Sequence, residues 1–410
     1  MTRRWPIDAR LRHWHPVAEV KRVTKKPLAI QCCGVPIALF QQGDGIAAIY
    51  DRCAHRRMPL SHGSVGPEGV TCPYHGCRFS ADGTGYCPTT KSNRFKVPVF
   101  ETRTLHDVVW VRSRDAANAV SHDLAADTGL HPELVEDDHA FACVVAKDIA
   151  APVQLVVDNM SELEHTGAVH RKLAFGIGDF DTVETRCQHD DEAVTIFYEG
   201  RQRPFPLYLS LLSGLRPGDV YVQTAGVSFT PPCASYRLWW TAGKDGKTRR
   251  FGLRFMNYYT EVDAGRTRLF SFVYWKTQGT LMHACPRLAL PILRAIVAAE
   301  LERDKVIIEK MPQNEATLEW FQLNRFDRPL AATRRLMQRH YASGLSRPDV
   351  GAGFSRPLES RLPNRLTPPC GRCPELFPGL PCLTCVDAGA GPSRPAEVTF
   401  ALSEDARCCC

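Results

Sequence analysis

Two short cysteine–histidine clusters stand nearest to reactive chemistry. Cys53-Ala54-His55 is followed, after sixteen residues, by Cys72-Pro73-Tyr74-His75. Two thiols and two imidazoles on successive hairpin tips can converge on one metal. Zinc accepts such a set, but its usual helical His-x3–5-His half is missing and both clusters sit among strand-like runs. The other solution is a [2Fe–2S] cluster, with two thiolates on one iron and two imidazoles on the other. Neutral imidazole donates less charge than thiolate, which raises the potential to roughly −150 to +300 mV. Buried, unliganded thiols are the plain alternative.

A second set lies at 158–170, DNMSELEHTGAVH. A single helical histidine is more often structural. Two with a carboxylate can form the facial triad of a non-haem Fe(II) centre, which leaves positions open for O2. His165 and His170 are five apart, so they meet if the helix loosens or ends between them, as Thr166-Gly167 would permit. A third set, Cys370-x2-Cys373 and Cys382-x2-Cys385, has four thiols in a zinc-knuckle-like pattern with a short eight-residue gap. A redox dithiol pair and an unstructured Cys-rich extension are its other readings. The terminal Cys408-Cys409-Cys410 fits no prenylation pattern.

The flanks of the first set, YDRCAHRRMPLSHGSVGPEGVTCPYHGCRFSADGTGYCP, resemble the Rieske domains of the non-haem iron ring-hydroxylating and demethylating oxygenases. The matching residues are Cys53-x-His55-Arg56, Pro59-Leu60-Ser61, CPYHG at 72–76, Arg78-Phe79 and Asp82-Gly83. The resemblance implies that Cys53 and Cys72 hold one iron and His55 and His75 the other. Cys77 stands where that family often has Trp, which implies no cluster role, and Cys87 reads as a buried thiol.

Asn159-x2-Glu162-x2-His165-x4-His170 follows the catalytic pattern of the same oxygenases. It looks most like their demethylase and monooxygenase branch, which includes vanillate and dicamba O-demethylases. There the third ligand is an Asp near the end of a long C-terminal helix, here Asp304 in LERDKVIIE. Glu300 and Glu309 are alternatives that read as solvated helix faces. The family usually has Asp at 162, bridging the iron ligand, here His165, to the Rieske ligand His75 of a neighbouring subunit. Glu162 keeps the charge and both acceptor oxygens, with one more methylene. Relatives acting on quaternary ammonium compounds also carry Glu here. Asp158 is an alternative bridge, and an ordinary helix charge is the plain reading of Glu162.

The resemblance covers about residues 10–345. It implies an oxidoreductase that uses a Rieske [2Fe–2S] cluster, mononuclear Fe(II) and O2 to hydroxylate or O-/N-demethylate a small organic substrate. Aromatic cis-dihydroxylation and quaternary-ammonium oxidation are the other enzymatic readings. The chain has no GxGxxG or flavin motif. A separate NAD(P)H-dependent reductase, a ferredoxin or both would supply electrons, and relatives often form head-to-tail homotrimers. Competing readings from other classes are a Rieske electron carrier and a non-catalytic relative with a protein-binding tail.

These residues need a scaffold. The chain has 410 residues, 44% hydrophobic and 23% charged, enough for two or three globular domains. Its net charge of +7 comes from scattered Lys and Arg, so nucleic acid is not expected. The longest apolar stretch, 288–299, is interrupted by Arg294 and too short for a membrane span. MTRRWPIDARLRHW has no apolar signal core. The expectation is a cytoplasmic protein whose 17 cysteines are reduced. Short alternating runs such as GIAAIYD and DVVWVRS predict an all-β domain. A helix at 152–169 precedes strands at 194–200, 219–230, 234–243, 250–260 and 266–277, and helices at 287–310 and 327–341 follow them. The expected fold class is therefore α+β: a Rieske domain at 1–140, then a catalytic domain at 141–345 with an antiparallel sheet and a long helix, implied by the resemblance to be a helix-grip. Seven cysteines and many Pro and Gly mark 346–410 as a separate tail, a zinc or redox module. Phe197, Tyr258, Tyr259 and Trp275 are candidates to line the substrate pocket, with ordinary core as their plain reading.

Overall fold

The computed structural model describes residues 5, 7–113, 138–170, 174–204, 206–243, 246–312 and 321–341. Cys370, Cys373, Cys382, Cys385 and Cys408–Cys410 lie outside the described residues, as does the tail as a whole. Among the described residues, the strands form three antiparallel sheets.

The first two sheets carry the cysteine–histidine clusters. Strands β1 (His15–Glu19), β2 (Leu28–Cys32), β3 (Val35–Gln42) and β4 (Gly45–Tyr50) join a later hairpin, β10 (Val99–Leu105) and β11 (Val108–Arg112), in the order β1-β11-β10-β4-β3-β2. Between β4 and β10 lie the short strands β5 (Ser64–Gly66), β6 (Gly69–Thr71), β7 (Arg78–Phe79), β8 (Thr84–Cys87) and β9 (Ser92–Lys96), which pair in sequence order. Ile37, Leu39, Phe40, Ile49, Phe79 and Val111 fill the core of this region.

The third sheet runs β12 (Ala140–Ile149), β18 (Arg266–Lys276), β17 (Thr248–Asp263), β16 (Pro232–Thr241), β15 (Val220–Phe229), β14 (Ala193–Arg201) and β13 (Glu184–His189). The five strands expected here form near their predicted limits. The two outer ones, β12 and β13, and helix α3 (Leu207–Ser213) are additions. Along a strand, successive side chains face opposite ways. Leu253 and Tyr259 on β17, with Leu269 and Val273 on β18, therefore join a core on one face. Met256, Tyr258, Phe270 and Phe272 join a second core on the other, together with Val108 and Trp110 of the first sheet and Trp14 just before it. Trp110 meets Tyr258 edge to face at 4.8 Å between ring centroids. The third sheet is thus covered on both faces, and the first region packs on its back.

The front face is gripped by helices. The expected helix at 152–169 is two: α1 (Val153–Ser161) and α2 (Glu164–Ala168), separated at Glu162 and Leu163. After α4 (Leu281–Ala284) comes the long α5 (Pro286–Ile308), followed by α6 (Arg328–His340). The buried face of α5 reads Ala289, Leu293, Val297, Glu300, Leu301, Asp304, Ile308. This i, i+4, i+7 stripe is what a 3.6-residue period predicts, and it carries two acids into the interior. Among the described residues no helix is long and apolar enough to cross a membrane.

Candidate metal centres and cavity

The two cysteine–histidine loops are built alike. In the first, the Cys53 amide donates to the Met58 carbonyl and the Arg57 amide to the Cys53 carbonyl, both at 2.8 Å. In the second, the Cys72 amide donates to the Cys77 carbonyl at 2.8 Å and the Gly76 amide to the Cys72 carbonyl at 3.1 Å. Arg57 and Gly76 occupy corresponding places, and both are left-handed, with φ of 63° and 68°. Glycine takes that conformation freely. Arg57 holds it with its guanidinium 4.4 Å from the Trp5 ring centroid and 5.3 Å from that of Tyr50.

These closures bring the four predicted ligands together as two pairs, one of thiols and one of imidazoles. Cys53 and Cys72 are buried, and burial pushes the Cys53 thiol up, with the Cys72 sulfur beside it adding to the effect. The His55 and His75 rings lie 4.6 Å apart, centroid to centroid. A cationic centre between two such thiols is what would hold them as thiolates, so the donor set fits a cluster bound by two sulfurs and two imidazoles. Cys77 and Cys87 correct an expectation. The turn after His75 and strand β8 set them side by side as a disulfide pair, rather than as isolated buried thiols. The Cys77 sulfur lies 3.9 Å from His55 Nδ1.

The second set converges as well. The ligand-type atoms of His165, His170 and Asp304 all lie within 4.8 Å of one another. His170 Nε2 is 3.3 Å and His165 Nε2 3.6 Å from Asp304 Oδ1. That oxygen is buried and accepts no hydrogen bond. Each imidazole spends its other nitrogen on a carboxylate. His165 Nδ1 donates to Glu162 Oε1 at 2.6 Å, and His170 Nδ1 to Glu300 Oε2 at 2.9 Å. Such bonds fix the tautomer, leaving both Nε2 lone pairs aimed at the same point. An orphaned buried carboxylate oxygen facing two free imidazole nitrogens fits a divalent cation with a two-His, one-carboxylate preference.

The electrostatics follow from burial and pairing. Burial alone would lower the His165 ring, but Glu162 and Asp304 outweigh it and raise its pKa. Burial pushes the Asp304 carboxyl up against the pull of His170 and His165. Glu300 goes the other way: burial opposes its charge, yet its bonds to His170 and Arg303 hold it below the usual range.

Several expectations change here. Glu300 is not on a solvated face. It is 7% exposed and orients His170; the α5 stripe, three residues beyond Val297, was the available signal. Glu309 accepts from the Ala150 amide at 2.8 Å and is spent at the surface. Asp158 does not bridge. It is buried against Arg334 at 2.6 Å. Asn159 is buried in α1 with an unpaired side-chain oxygen, but does not line the cavity described below. The chain does not loosen at Gly167, which is helical in α2. Its lack of a side chain serves the Phe180 ring, which would come within 2.7 Å of a Cβ there. The helix breaks earlier, at Glu162, and ends at Ala168, before His170.

Arg203 is the residue that sequence reasoning missed. Its guanidinium donates to the carbonyls of His170 at 2.6 Å and of Thr166 and Gly167 at 3.3 Å, and also to that of Phe175. It therefore holds the C-terminal end of α2, where unsatisfied carbonyls attract cations. Nothing local to Arg203 announces this role, since its partners lie 28 to 37 residues away.

The three converging residues open into a cavity of about 170 Å³ between the front of the third sheet and α5. Met160, Glu162 and Leu163 stand at one end, Leu238, Leu253 and Phe255 on the sheet, and Leu293, Val297 and Leu301 on α5. Phe197, Tyr258, Tyr259 and Trp275 are absent from its lining. Tyr258 faces the opposite side of the sheet, and Tyr259 and Trp275 are core, as their plain reading has it.

The fold and the two donor sets have counterparts in known proteins. Residues 13–101 match the Rieske [2Fe-2S] domain, and residues 149–343 match the vanillate O-demethylase oxygenase C-terminal domain. The chain thus carries both domains, in that order. Among curated relatives, dicamba O-demethylase oxygenase component of Stenotrophomonas maltophilia is 33% identical over 171 residues, 38% of this chain and 47% of the relative. A vanillate O-demethylase oxygenase subunit of a Pseudomonas species is 32% identical over 198 residues, 46% and 57% of the two chains. Methylxanthine N1-demethylase of Pseudomonas putida is 34% identical over 114 residues, 25% and 32%. The matched segments span about a third to just over half of these relatives' lengths. The crystal structure of dicamba monooxygenase bound to 3,6-dichlorosalicylic acid superposes with a TM-score of 0.66 at 21% identity, covering 83% of this chain and all of the other. It establishes the shared fold.

Proposed function

We propose that this chain is the oxygenase component of a multicomponent Rieske non-haem iron system. It hydroxylates, or removes a methyl from O or N of, a small organic substrate, using O2 and electrons from a separate NAD(P)H-dependent reductase or ferredoxin. One observation carries the reading. Asp304 Oδ1, buried and unpaired, faces the free nitrogens of His165 and His170 at the end of an apolar cavity.

Cys53, Cys72, His55 and His75 would hold the [2Fe–2S] cluster, and His165, His170 and Asp304 the iron. When bound, the cluster supplies single electrons and the iron activates O2. The chain's own groups do the rest. Glu162 and Glu300 keep the two rings in register through their Nδ1 protons. Leu238, Leu253, Phe255, Leu293 and Val297 exclude water from the reacting end. Glu162 Oε2 accepts only the His165 amide, at 3.1 Å, so a lone pair remains for a second imidazole. Such a partner suits the bridge to the Rieske His75 of a neighbouring copy in a head-to-tail homotrimer. The protein would work in the cytoplasm, with functional boundaries near 140 and 345.

The test is product analysis under 18O2 with a reductase and a panel of methoxy-aromatics, N-methyl compounds and betaines. One labelled oxygen in a hydroxylated or demethylated product supports the reading. A chain that loads only cluster iron and labels nothing is an electron carrier. With Fe(II) in excess, so that both centres stay loaded, Glu162→Gln should nearly abolish NADH-driven turnover, and near-normal turnover would remove it from the bridge.

A further inference from the structure

The cavity's polar groups say what kind of molecule it takes. Its walls are mostly aliphatic, and the polar side chains among them are largely committed. The Ser213 hydroxyl donates to the Leu209 carbonyl, that of Tyr221 to Gln223 and that of Tyr236 to the Met160 carbonyl. The acids belong to the candidate metal centre: Glu162 and Glu300 are bonded to the histidines, and the unpaired Asp304 Oδ1 faces their free ring nitrogens. Among the described lining residues there is no Lys or Arg.

Away from that centre, two groups break this pattern. Asn257 and Ser271 sit directly opposite each other on β17 and β18, both lining the cavity. They are 5% and 0% exposed, and neither Asn257 Oδ1 nor Ser271 Oγ has a hydrogen-bond partner. The amide end of Asn257 is turned to the Tyr259 hydroxyl. A buried, orphaned acceptor is costly unless something donates to it. A carboxylate placed here would be desolvated beside three acids with no cationic side chain to pair with it.

We infer that the cavity selects a neutral, mainly apolar molecule with one O–H or N–H donor, received by Asn257 Oδ1, with the Ser271 hydroxyl beside it. This rests on reading the cavity as the oxygenase's substrate site. Asn257 and Ser271 are then specificity-determining residues.

The test is calorimetric binding to the iron-loaded full chain, without O2 or reductant, of three related probes. These are 2-methoxyphenol, methoxybenzene, which lacks the donor, and 4-hydroxy-3-methoxybenzoate, which adds a carboxylate. The phenol should bind about tenfold more tightly than either of the others, the size expected of one buried hydrogen bond or one unpaired charge. Asn257→Leu should bring the phenol and methoxybenzene to within about twofold of each other, and Ser271→Ala should narrow the gap less. Benzoate binding as tight as the phenol's overturns the inference on the unsubstituted protein, whatever becomes of the variants. So does a failure of all three probes to bind. A phenol preference that survives in a folded Asn257→Leu protein also overturns it, since water rather than ligand would then satisfy Oδ1. The oxygenase reading fails separately: selective binding of the phenol without 18O in any product rejects that reading and leaves the ligand class standing. Labelled product from the benzoate with reversed selectivity does the opposite.

Discussion

The two candidate metal centres are assembled on opposite principles. The cysteine–histidine set comes from two loops of six residues, each closed on itself by a pair of backbone hydrogen bonds. The His165–His170–Asp304 set draws on a broken helix and a residue more than 130 positions later on α5. It is held by side chains from elsewhere: Glu162, Glu300 and Arg203. Geometry stored in a local turn depends on few partners. Geometry stored in packing depends on every element that packs, so the second centre should be the more easily lost.

The sharpest way to break that contrast is to remove one ligand from each centre. Asp304→Ala should lower bound iron from about three to about two atoms per chain and leave the visible spectrum of a [2Fe–2S] cluster intact. Cys53→Ala should remove the cluster spectrum and leave about one iron. Loss of both centres in either variant would mean that the two are not independently built.

Supporting residues test the difference more finely. Glu300→Gln should weaken mononuclear iron about 10- to 100-fold, read by chelator competition, with the cluster unaffected. Arg203→Gln touches no ligand ring, only backbone carbonyls, and should act in the same direction by about tenfold or less. It should also lower the melting temperature.

The smallest effect belongs to the loops. Gly76→Ala meets nothing closer than the Pro88 ring at 3.5 Å, so its cost is the left-handed backbone alone, about 1–2 kcal/mol in denaturant unfolding. Gly167→Ala has an ordinary helical backbone but drives a methyl into Phe180. A greater loss of iron at Gly76 than at Gly167 would invert the contrast between local and packed geometry.

The limits of sequence reading fall along the same line. Cys53, His55, Cys72 and His75 were legible because their spacing and flanks are contiguous, and a loop's closure depends on residues a few positions apart. The central strands of the third sheet and helix α5 were legible through hydrophobic period. The broken helix at Glu162 was not, since the Tyr236 hydroxyl that donates to the Met160 carbonyl just before the break comes from a strand 76 residues away. Glu300 was placed on the wrong face because an acid's type outweighed its position on the stripe. The proposed pocket aromatics failed because aromatic character does not say which face of a strand a residue takes.

The sequence by itself pointed to the candidate donor sets and determined the helix that carries Asp304, because those rest on residue type, spacing and period. Only the tertiary structure decided that Glu300 and Arg203 position the histidines, that Cys77 and Cys87 are joined, and that Asn257 and Ser271 stand unpaired in the cavity. The roles of Glu300 and Arg203 depend on contacts between distant segments, and the other two on which side chains neighbouring strands set face to face; both are set by packing rather than by residue type.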